Sequence, residues 1–128
     1  MIKRQYTLYL ENRPGALAKV VRQLAEEGVN IEGISVAEST DAALVQIVVG
    51  NSAKMKKILE KEEISFTSQD VAIVILDHKP GALAEFAEKL NRQHININYI
   101  YATAAEIQSQ CCLVISGSDL KKIERMAK

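Results

Sequence analysis

The sequence has few cysteine, proline and aromatic residues, and these shortages limit what the protein can be. Only two of its 128 residues are cysteine, and they are neighbours, Cys111 and Cys112. Adjacent strand residues point to opposite faces, so this pair matches neither a disulfide framework nor a metal-ligand spacing. We therefore expect two reduced thiols in a strand, no metal site and a cytoplasmic location.

The chain also lacks an excess of charge of either sign, with 16 Lys and Arg against 16 Asp and Glu. A nucleic-acid surface normally needs a basic stripe that replaces phosphate counterions, and an electrostatic membrane anchor also needs basic residues. No apolar run reaches the roughly 18 residues of a spanning helix, and the first residues form no apolar signal core. We expect neither nucleic acid nor a membrane as a partner.

What the chain does contain is one short segment twice. Arg13-Pro14-Gly15-Ala16-Leu17-Ala18 returns as Lys79-Pro80-Gly81-Ala82-Leu83-Ala84, 66 positions later. Similarity at a fixed offset indicates a duplicated supersecondary unit, and units of about 65 residues are only marginally stable alone. We predict two closely packed modules, residues 1–68 and 69–128. The same offset aligns Leu24 with Leu90, Asn30-Ile31 with Asn96-Ile97, Val48 with Val114 and Ser52 with Ser118.

Hydrophobic periodicity predicts the order βαββαβ in the first module, and the second module repeats this order up to its second helix. In this order both helices lie on one face of a four-stranded antiparallel sheet, the ferredoxin-like arrangement. Pro14 and Pro80 are expected in the first turn of their helices, and Ser52 and Ser118 as helix caps. The predicted strands are 6–10, 31–37, 44–49 and 64–67, then 71–76, 97–102 and 111–115, with a turn at 38–41. The predicted apolar helix stripes are Leu17, Val20, Val21, Leu24 and Ala25, then Leu83, Phe86, Ala87 and Leu90.

The second module is predicted to lack a last strand of its own, because its pattern ends with a helix. Residues 68–70 are expected to separate the last strand of the first module from strand 71–76. One edge of that strand would then be unpaired, and exposed edges promote association between chains. We predict that another segment or another subunit covers this edge.

The loop before the first helix of each module carries the candidate binding groups. A helix start suits a carboxylate, and glycine permits close approach of the backbone. Each loop places an acid, a neutral hydrogen-bonding group and a base side by side, which matches the two charges of a zwitterion. These triplets are Glu11, Asn12 and Arg13 in the first loop, and Asp77, His78 and Lys79 in the second.

Several of these residues also have a simpler interpretation. Pro-Gly before a helix is common as a plain turn, and Arg13 and Lys79 fit solvated loop charges. His78 has no Ser, Cys or paired carboxylate around it that would complete a catalytic set, so we expect no enzyme activity. Tyr99 and Tyr101 share one strand face, which suits sheet or subunit packing better than ligand stacking.

Two segments with these loops resemble ACT domains, which are small amino-acid-binding regulatory modules. The first is Leu10-Glu11-Asn12-Arg13-Pro14-Gly15-Ala16-Leu17 followed by Gly28-Val29-Asn30-Ile31. The second is Asp77-His78-Lys79-Pro80-Gly81-Ala82-Leu83 with Ile95-Asn96-Ile97-Asn98-Tyr99-Ile100-Tyr101. The resemblance covers nearly the whole chain, which is similar to free-standing tandem ACT proteins. It implies a homodimer or higher homo-oligomer, with the ligand between the first loop of one module and a partner module.

The resemblance also implies binding residues in both copies. Asn12 and Asn30 match the family's polar ligand positions, which His78 and Asn96 occupy in the second copy. Some serine-binding members carry a histidine where this chain has Leu10, so serine specificity is not implied. The full predicted set is Glu11, Asn12, Arg13, Pro14, Gly15, Ala16, Leu17, Asn30, Ile31, Asp77, His78, Lys79, Pro80, Gly81, Ala82, Leu83, Asn96 and Ile97.

The sequence therefore predicts a non-catalytic regulatory protein that binds a small amino acid and needs no cofactor. A ligand that bridges modules would favour one arrangement through its higher affinity for it. The first copy is also similar to the ACT region of acetolactate synthase regulatory subunits. The alternative is thus a regulatory subunit that docks on an amino-acid biosynthetic enzyme of this kind.

Overall fold

The computed structural model describes residues 1–39 and 41–127. Thr40, in the predicted turn 38–41, lies outside these residues, as does Lys128. The described chain forms two units, Arg4–Gln69, and Met1–Lys3 together with Asp70–Lys128. The elements are β1 Ile2–Glu11, α1 Ala16–Glu26, β2 Ile31–Glu38, β3 Ala42–Val49, α2 Ser52–Lys61, β4 Ser65–Asp77, α3 Ala82–Arg92, β5 Ile97–Thr103, β6 Gln110–Gly117 and α4 Leu120–Met126. No helix in the described ranges has the length and apolarity needed to cross a bilayer.

The unit 4–69 has the predicted ferredoxin-like arrangement. β3 pairs antiparallel with β1 and with β2, and the strand order is β2-β3-β1-β4. Alternate residues of β1 and β3 point to one face, where α1 and α2 cover them. The prediction that both helices share one face is therefore confirmed. The buried cluster contains Tyr6, Leu8 and Leu10 from β1, Val45, Ile47 and Val49 from β3, Val20 and Leu24 from α1, and Met55, Ile58 and Leu59 from α2.

The other unit repeats this design. β6 pairs antiparallel with β4 and with β5, and α3 and α4 pack on one face of these strands. The two hydrophobic clusters are therefore built in the same way, with inward-facing strand residues beneath the apolar stripes of the helices. This second cluster contains Ala72, Val74, Phe86, Leu90, Ile95, Leu113, Ile115 and Ile123.

The N-terminal residues cover the edge of β4 that the sequence left open. The Met1 carbonyl accepts a hydrogen bond from the Ile73 N–H at 2.6 Å, and the Met1 amino group donates to the Ile73 carbonyl at 3.1 Å. Two residues that exchange both bonds form an antiparallel pair. The same amino group forms an ion pair with Glu124 of α4. The prediction that another segment covers this edge is confirmed at Ile73, and the covering residue is Met1, directly before β1.

β4 is continuous from Ser65 to Asp77, so the predicted break at 68–70 was wrong. That prediction relied on three polar residues, Ser68, Gln69 and Asp70. Polarity alone does not end a strand, because its backbone hydrogen bonds do not depend on the side chain. The segment contains neither of the two residues that interrupt strands most strongly, proline and glycine.

The two hairpins differ in length, which shifts the repeat. Ile31 pairs with Val49, whereas Ile97 pairs with Gly117, so the second hairpin is longer by two residues. The offset between the copies is therefore 66 up to the second strand and 68 from the third strand onward. The alignments predicted at constant offset for the third strand and the following helix start were wrong.

The helix caps follow the longer offset. Asn51 caps α2 and Asp119 caps α4, and each side chain accepts a hydrogen bond at 3.1 Å from the backbone N–H three residues later. Ser52 and Ser118 were predicted as caps from the preference for serine at helix starts, and this prediction was wrong, because the caps are the residues at 51 and 119. Ser118 instead accepts a hydrogen bond at 3.0 Å from the backbone N–H of Asn96, just before β5.

Tyr99 and Tyr101 stack on each other, with ring centroids 6.4 Å apart and ring planes 12° from parallel. Tyr101 pairs across the hairpin with Val114, while its neighbour Ile100 pairs with the core residue Ile115. The two tyrosines therefore lie on the sheet face opposite the helices. Burial, and then the neighbouring Tyr99 phenol, raises the pKa of Tyr101.

We expect Tyr101→Phe to reduce the loss of stability at alkaline pH. A raised pKa in the folded state means that the unfolded chain ionises first, above the ordinary value of 10.0. The stabilisation is thus complete below that value and is lost as the pH rises through the folded-state pKa. The wild type should lose up to about 1.4 kcal/mol more per pH unit than the variant in this range. Urea unfolding across the range measures this, with Tyr9→Phe as control; equal slopes for wild type and Tyr101→Phe would contradict it.

Candidate functional site

The two predicted loops form tight turns that precede their helices. In 13–16 and in 79–82 the fourth N–H donates to the first carbonyl, at 3.4 and 3.3 Å. The third residue is a left-handed glycine, with φ 87° at Gly15 and 89° at Gly81. With proline at the second position, this is a type II turn. The helices start after the turn, so the prediction that both prolines lie in the first helical turn was wrong.

The glycines are needed for backbone conformation. Other L-residues pay roughly 1–2 kcal/mol in the left-handed region, and glycine does not. A Cβ placed on Gly15 or Gly81 would meet no described atom within 4 Å. Among the described residues, therefore, nothing approaches these glycines closely, and the space beside each turn is open to a ligand.

The charged loop residues are paired with each other. Arg13 Nε donates to Glu11 Oε2 at 2.6 Å, and Lys79 Nζ lies 3.9 Å from Asp77 Oδ2. Exposed pairs of this kind contribute about 0–1 kcal/mol to stability, so they leave both charges available to a ligand. The exposed predicted residues are Glu11, Asn12, Arg13, Pro14, Gly15, Asp77, His78, Lys79, Pro80, Gly81 and Leu83, and Ala16, Leu17 and Ala82 are half-buried.

The predicted residues of the second strand lie at the far end of each helix. Asn30 and Ile31 follow α1, and Asn96 and Ile97 follow α3. Each helix has 11 residues, which is about 16 Å at 1.5 Å per residue. One small ligand therefore cannot contact the first loop and the second-strand start of the same unit.

The second-strand asparagines use their backbone to close the hairpin end. The Asn30 carbonyl accepts from the Gly50 N–H at 2.9 Å, and the Asn96 carbonyl from the Ser118 N–H at 3.0 Å. The Asn96 side chain donates to Asn98 Oδ1 at 2.9 Å. Both asparagines are exposed, so their side chains remain accessible while their carbonyls support the fold.

A groove of about 260 Å³ opens beside the first loop in the unit 4–69. It lies between the end of β1, the outer side of α1 and the segment that follows α2. The loop contributes Glu11 and Arg13. The remaining charged or amide groups are Lys19 and Gln23 from α1, and Glu62 and Glu63 after α2.

Glu62 is the fixed carboxylate of this groove. Its Oε1 accepts a hydrogen bond from Gln23 Nε2 at 2.6 Å, and its Oε2 lies 3.4 Å from Lys19 Nζ. The Gln23 hydrogen bond, and then Lys19, hold the pKa of Glu62 below its ordinary value of 4.5 against the opposing effect of desolvation. The other amide atom, Gln23 Oε1, is buried without a hydrogen-bond partner in the described chain.

The second unit has a corresponding groove of about 200 Å³. It shares the loop acid and base with the first groove, but Glu85 and Lys89 stand where the first unit has Lys19 and Gln23. The two grooves are thus related by duplication and differ in chemistry. Their matching positions are Tyr9 and Ile75, Leu10 and Leu76, Glu11 and Asp77, Arg13 and Lys79, Ala16 and Ala82, Lys19 and Glu85, Val20 and Phe86, and Gln23 and Lys89.

The two cysteines are free thiols, and both are half-buried. Cys111 packs against the core cluster, and Cys112 pairs with Ile75. Over residues 1–39 and 41–127, no group of three or more His, Cys, Asp or Glu side chains is arranged to hold a metal ion.

Comparison with known proteins places the chain in a family. A family model described as an ACT domain pair matches residues 1–124. Protein BT0572 from Bacteroides thetaiotaomicron is similar in structure, with a TM-score of 0.89, 28% identity, and coverage of 98% of this chain and 86% of that one. The regulatory subunit of aspartate kinase from Thermus thermophilus shares the fold, with a TM-score of 0.73, 19% identity, and coverage of 99% and 93%. No curated protein matches the sequence. The protein belongs to the ACT domain pair family.

Proposed function

We propose that this protein is a non-catalytic regulatory protein that binds a small amino acid beside its first loops. The observation that carries the proposal is repeated in both units: an exposed loop with an acid and a base opens onto a groove with charges of both signs. A zwitterion presents the complementary pair of charges. His78 is exposed between Asp77 and Lys79, and its backbone N–H donates to the Ser109 carbonyl oxygen at 2.8 Å.

We propose further that the ligand connects modules. The length of α1 separates Asn12 from Asn30 in one unit, so both can serve one ligand only if they come from different modules. This favours a homodimer or higher homo-oligomer as the working form. The ligand would then stabilise the arrangement of modules in which its contacts are complete.

We expect at least one of the standard amino acids to raise the melting temperature of the wild-type protein. A ligand at one hundred times its Kd stabilises the folded state by about 2.7 kcal/mol, which moves the transition visibly. Asn12→Ala and Asn30→Ala should reduce this shift. Asn91→Ala is the control, because Asn91 is exposed on α3, outside both predicted positions, and this variant should keep the full shift. Differential scanning calorimetry with each amino acid measures the shift. No shift with any amino acid would contradict the proposal.

A second candidate is a regulatory subunit that docks on an amino-acid biosynthetic enzyme. The fold shared with the aspartate kinase regulatory subunit over nearly all of both chains favours it, as does the resemblance of the first copy to acetolactate synthase regulatory subunits. Affinity purification of the protein from its native cells, followed by assays for aspartate kinase and acetolactate synthase activity, tests this candidate. An activity that co-purifies and responds to an amino acid would support this candidate, and the absence of both activities would count against it.

A further inference from the structure

We propose that the groove of the unit 4–69 is the amino-acid site of the first repeat, with Glu62 binding the ligand ammonium group and Lys19 its carboxylate. This inference rests on the proposed function and adds two residues that no sequence motif marks. Gln23 acts as a positioning residue, because it holds the Glu62 carboxylate through a hydrogen bond of 2.6 Å.

The charges of the groove select a zwitterion. Three carboxylates and two cationic groups line it, so an anion such as phosphate would face the acids and a diamine would face the bases. These groups already form two ion pairs, Arg13 with Glu11 at 2.6 Å and Lys19 with Glu62 at 3.4 Å. A ligand with one ammonium and one carboxylate can enter between the partners of such a pair and compensate the charges of both partners.

The Lys19–Glu62 ion pair has one exposed partner and one fixed partner. The Glu62 side chain is only 21% exposed and is held by Gln23, whereas the Lys19 side chain is 67% exposed. Lys19 can therefore turn from Glu62 to a ligand carboxylate at small cost, while the carboxylate that receives the ammonium group is already in place. Preorganisation of this kind reduces the cost of binding.

The buried Gln23 Oε1 gives a second, independent indication of a ligand. A buried carbonyl oxygen without a hydrogen-bond donor is destabilising, because it has lost its hydration and gained no bond in return. Its amide nitrogen is already bonded to Glu62, so turning the amide over would place the oxygen against a carboxylate. Gln23 lines the groove, and a change in its side-chain conformation would bring Oε1 to an ammonium group bound at Glu62, which would supply the missing donor.

We expect Glu62→Gln to weaken binding of the amino acid that stabilises the wild type at least tenfold. The substitution keeps the shape of the side chain and removes the charge that the ammonium group needs. Lys19→Met should also weaken binding, and the exposed position of Lys19 means that this substitution leaves the core unchanged. Glu60→Gln, an exposed change of the same charge outside the groove, serves as control. Isothermal titration calorimetry measures Kd, and circular dichroism verifies that each variant is folded.

Ligands that lack one of the two charged groups test the roles assigned to Glu62 and Lys19. The N-acetyl derivative of the same amino acid has no ammonium group, and the carboxamide has no carboxylate. Both derivatives should bind the wild type at least tenfold more weakly. Glu62→Gln should no longer distinguish the amino acid from its N-acetyl form, and Lys19→Met should no longer distinguish it from its carboxamide.

The outcomes separate this inference from the proposed function. If an amino acid binds the wild type, Glu62→Gln and Lys19→Met with equal affinity, the groove assignment is wrong while amino-acid binding stands. If Asn30→Ala abolishes binding and these two variants do not, the site lies at the second-strand start instead. If no amino acid binds the wild type, both proposals are overturned.

Discussion

Leu90→Ala is expected to lower the free energy of unfolding by about 2–5 kcal/mol. Leu90 is fully buried on α3 and belongs to the core cluster that includes Phe86, Leu113 and Ile115. Truncation removes buried methyl groups and leaves a cavity that close-packed neighbours can fill only in part. The loss is a large fraction of the 5–15 kcal/mol that stabilises an ordinary domain.

Leu83→Ala is the matched control, because it is the same substitution on the same helix. Leu83 is 49% exposed, and alanine is the better helix former, so the change should stay within about 0.5 kcal/mol. Urea unfolding followed by circular dichroism measures both variants. Similar losses for the two variants would contradict the burial pattern of α3.

The comparison of these two leucines also shows what helix periodicity can predict. Leu24 and Leu90 follow from the spacing of apolar residues, and both are fully buried. Leu83 has the same spacing and was predicted in the stripe, yet it is exposed, although its counterpart Leu17 packs against the core. Periodicity defines the face of a helix, but whether another element covers a given turn depends on residues far away in the chain.

The strand errors have the same origin. Apolar runs, β-branched composition and alternation predicted a strand within each strand of the described chain, because these signals depend only on neighbouring residues. The residue that pairs with the open β4 edge could not be predicted in this way, because Met1 and Ile73 are 72 positions apart and no local pattern links them. The constant repeat offset failed for a related reason: an insertion between β5 and β6 changes the register without changing the pattern inside either strand.

The candidate site was predictable to the extent that it is local. The duplicated Pro-Gly segment marks both loops, and its left-handed glycines explain why that segment is the same in the two copies. The groove is different, because Gln23 and Glu62 are 39 positions apart and meet only in the folded unit. The one available signal was the spacing of Lys19 and Gln23, four residues apart on the exposed side of α1, which places them next to each other on a helix.

Gly117→Ala is expected to destabilise the protein by about 1–3 kcal/mol, the usual cost of forcing an extra methyl group into a packed site. A Cβ at Gly117 would lie 2.7 Å from the Asn96 carbonyl oxygen and 2.5 Å from Ile123 Cδ1. Ile123 is fully buried, so its side chain has little room to move. The Asn96 carbonyl accepts the hydrogen bond from the Ser118 N–H, and a shift would weaken that bond.

Gly50→Ala provides a control with the same substitution, because Gly50 directly follows Val49, the first-hairpin residue that corresponds to Gly117. A Cβ there would find its nearest neighbour, the Asn30 carbonyl oxygen, at 3.8 Å, which is an ordinary contact. This variant should be neutral or gain about 0.4–1 kcal/mol from the lower entropy of its unfolded chain. Chemical unfolding of both variants measures the difference. Equal stability for the two would mean that β5 can move away from Gly117, and that the close approach of its backbone does not limit this position.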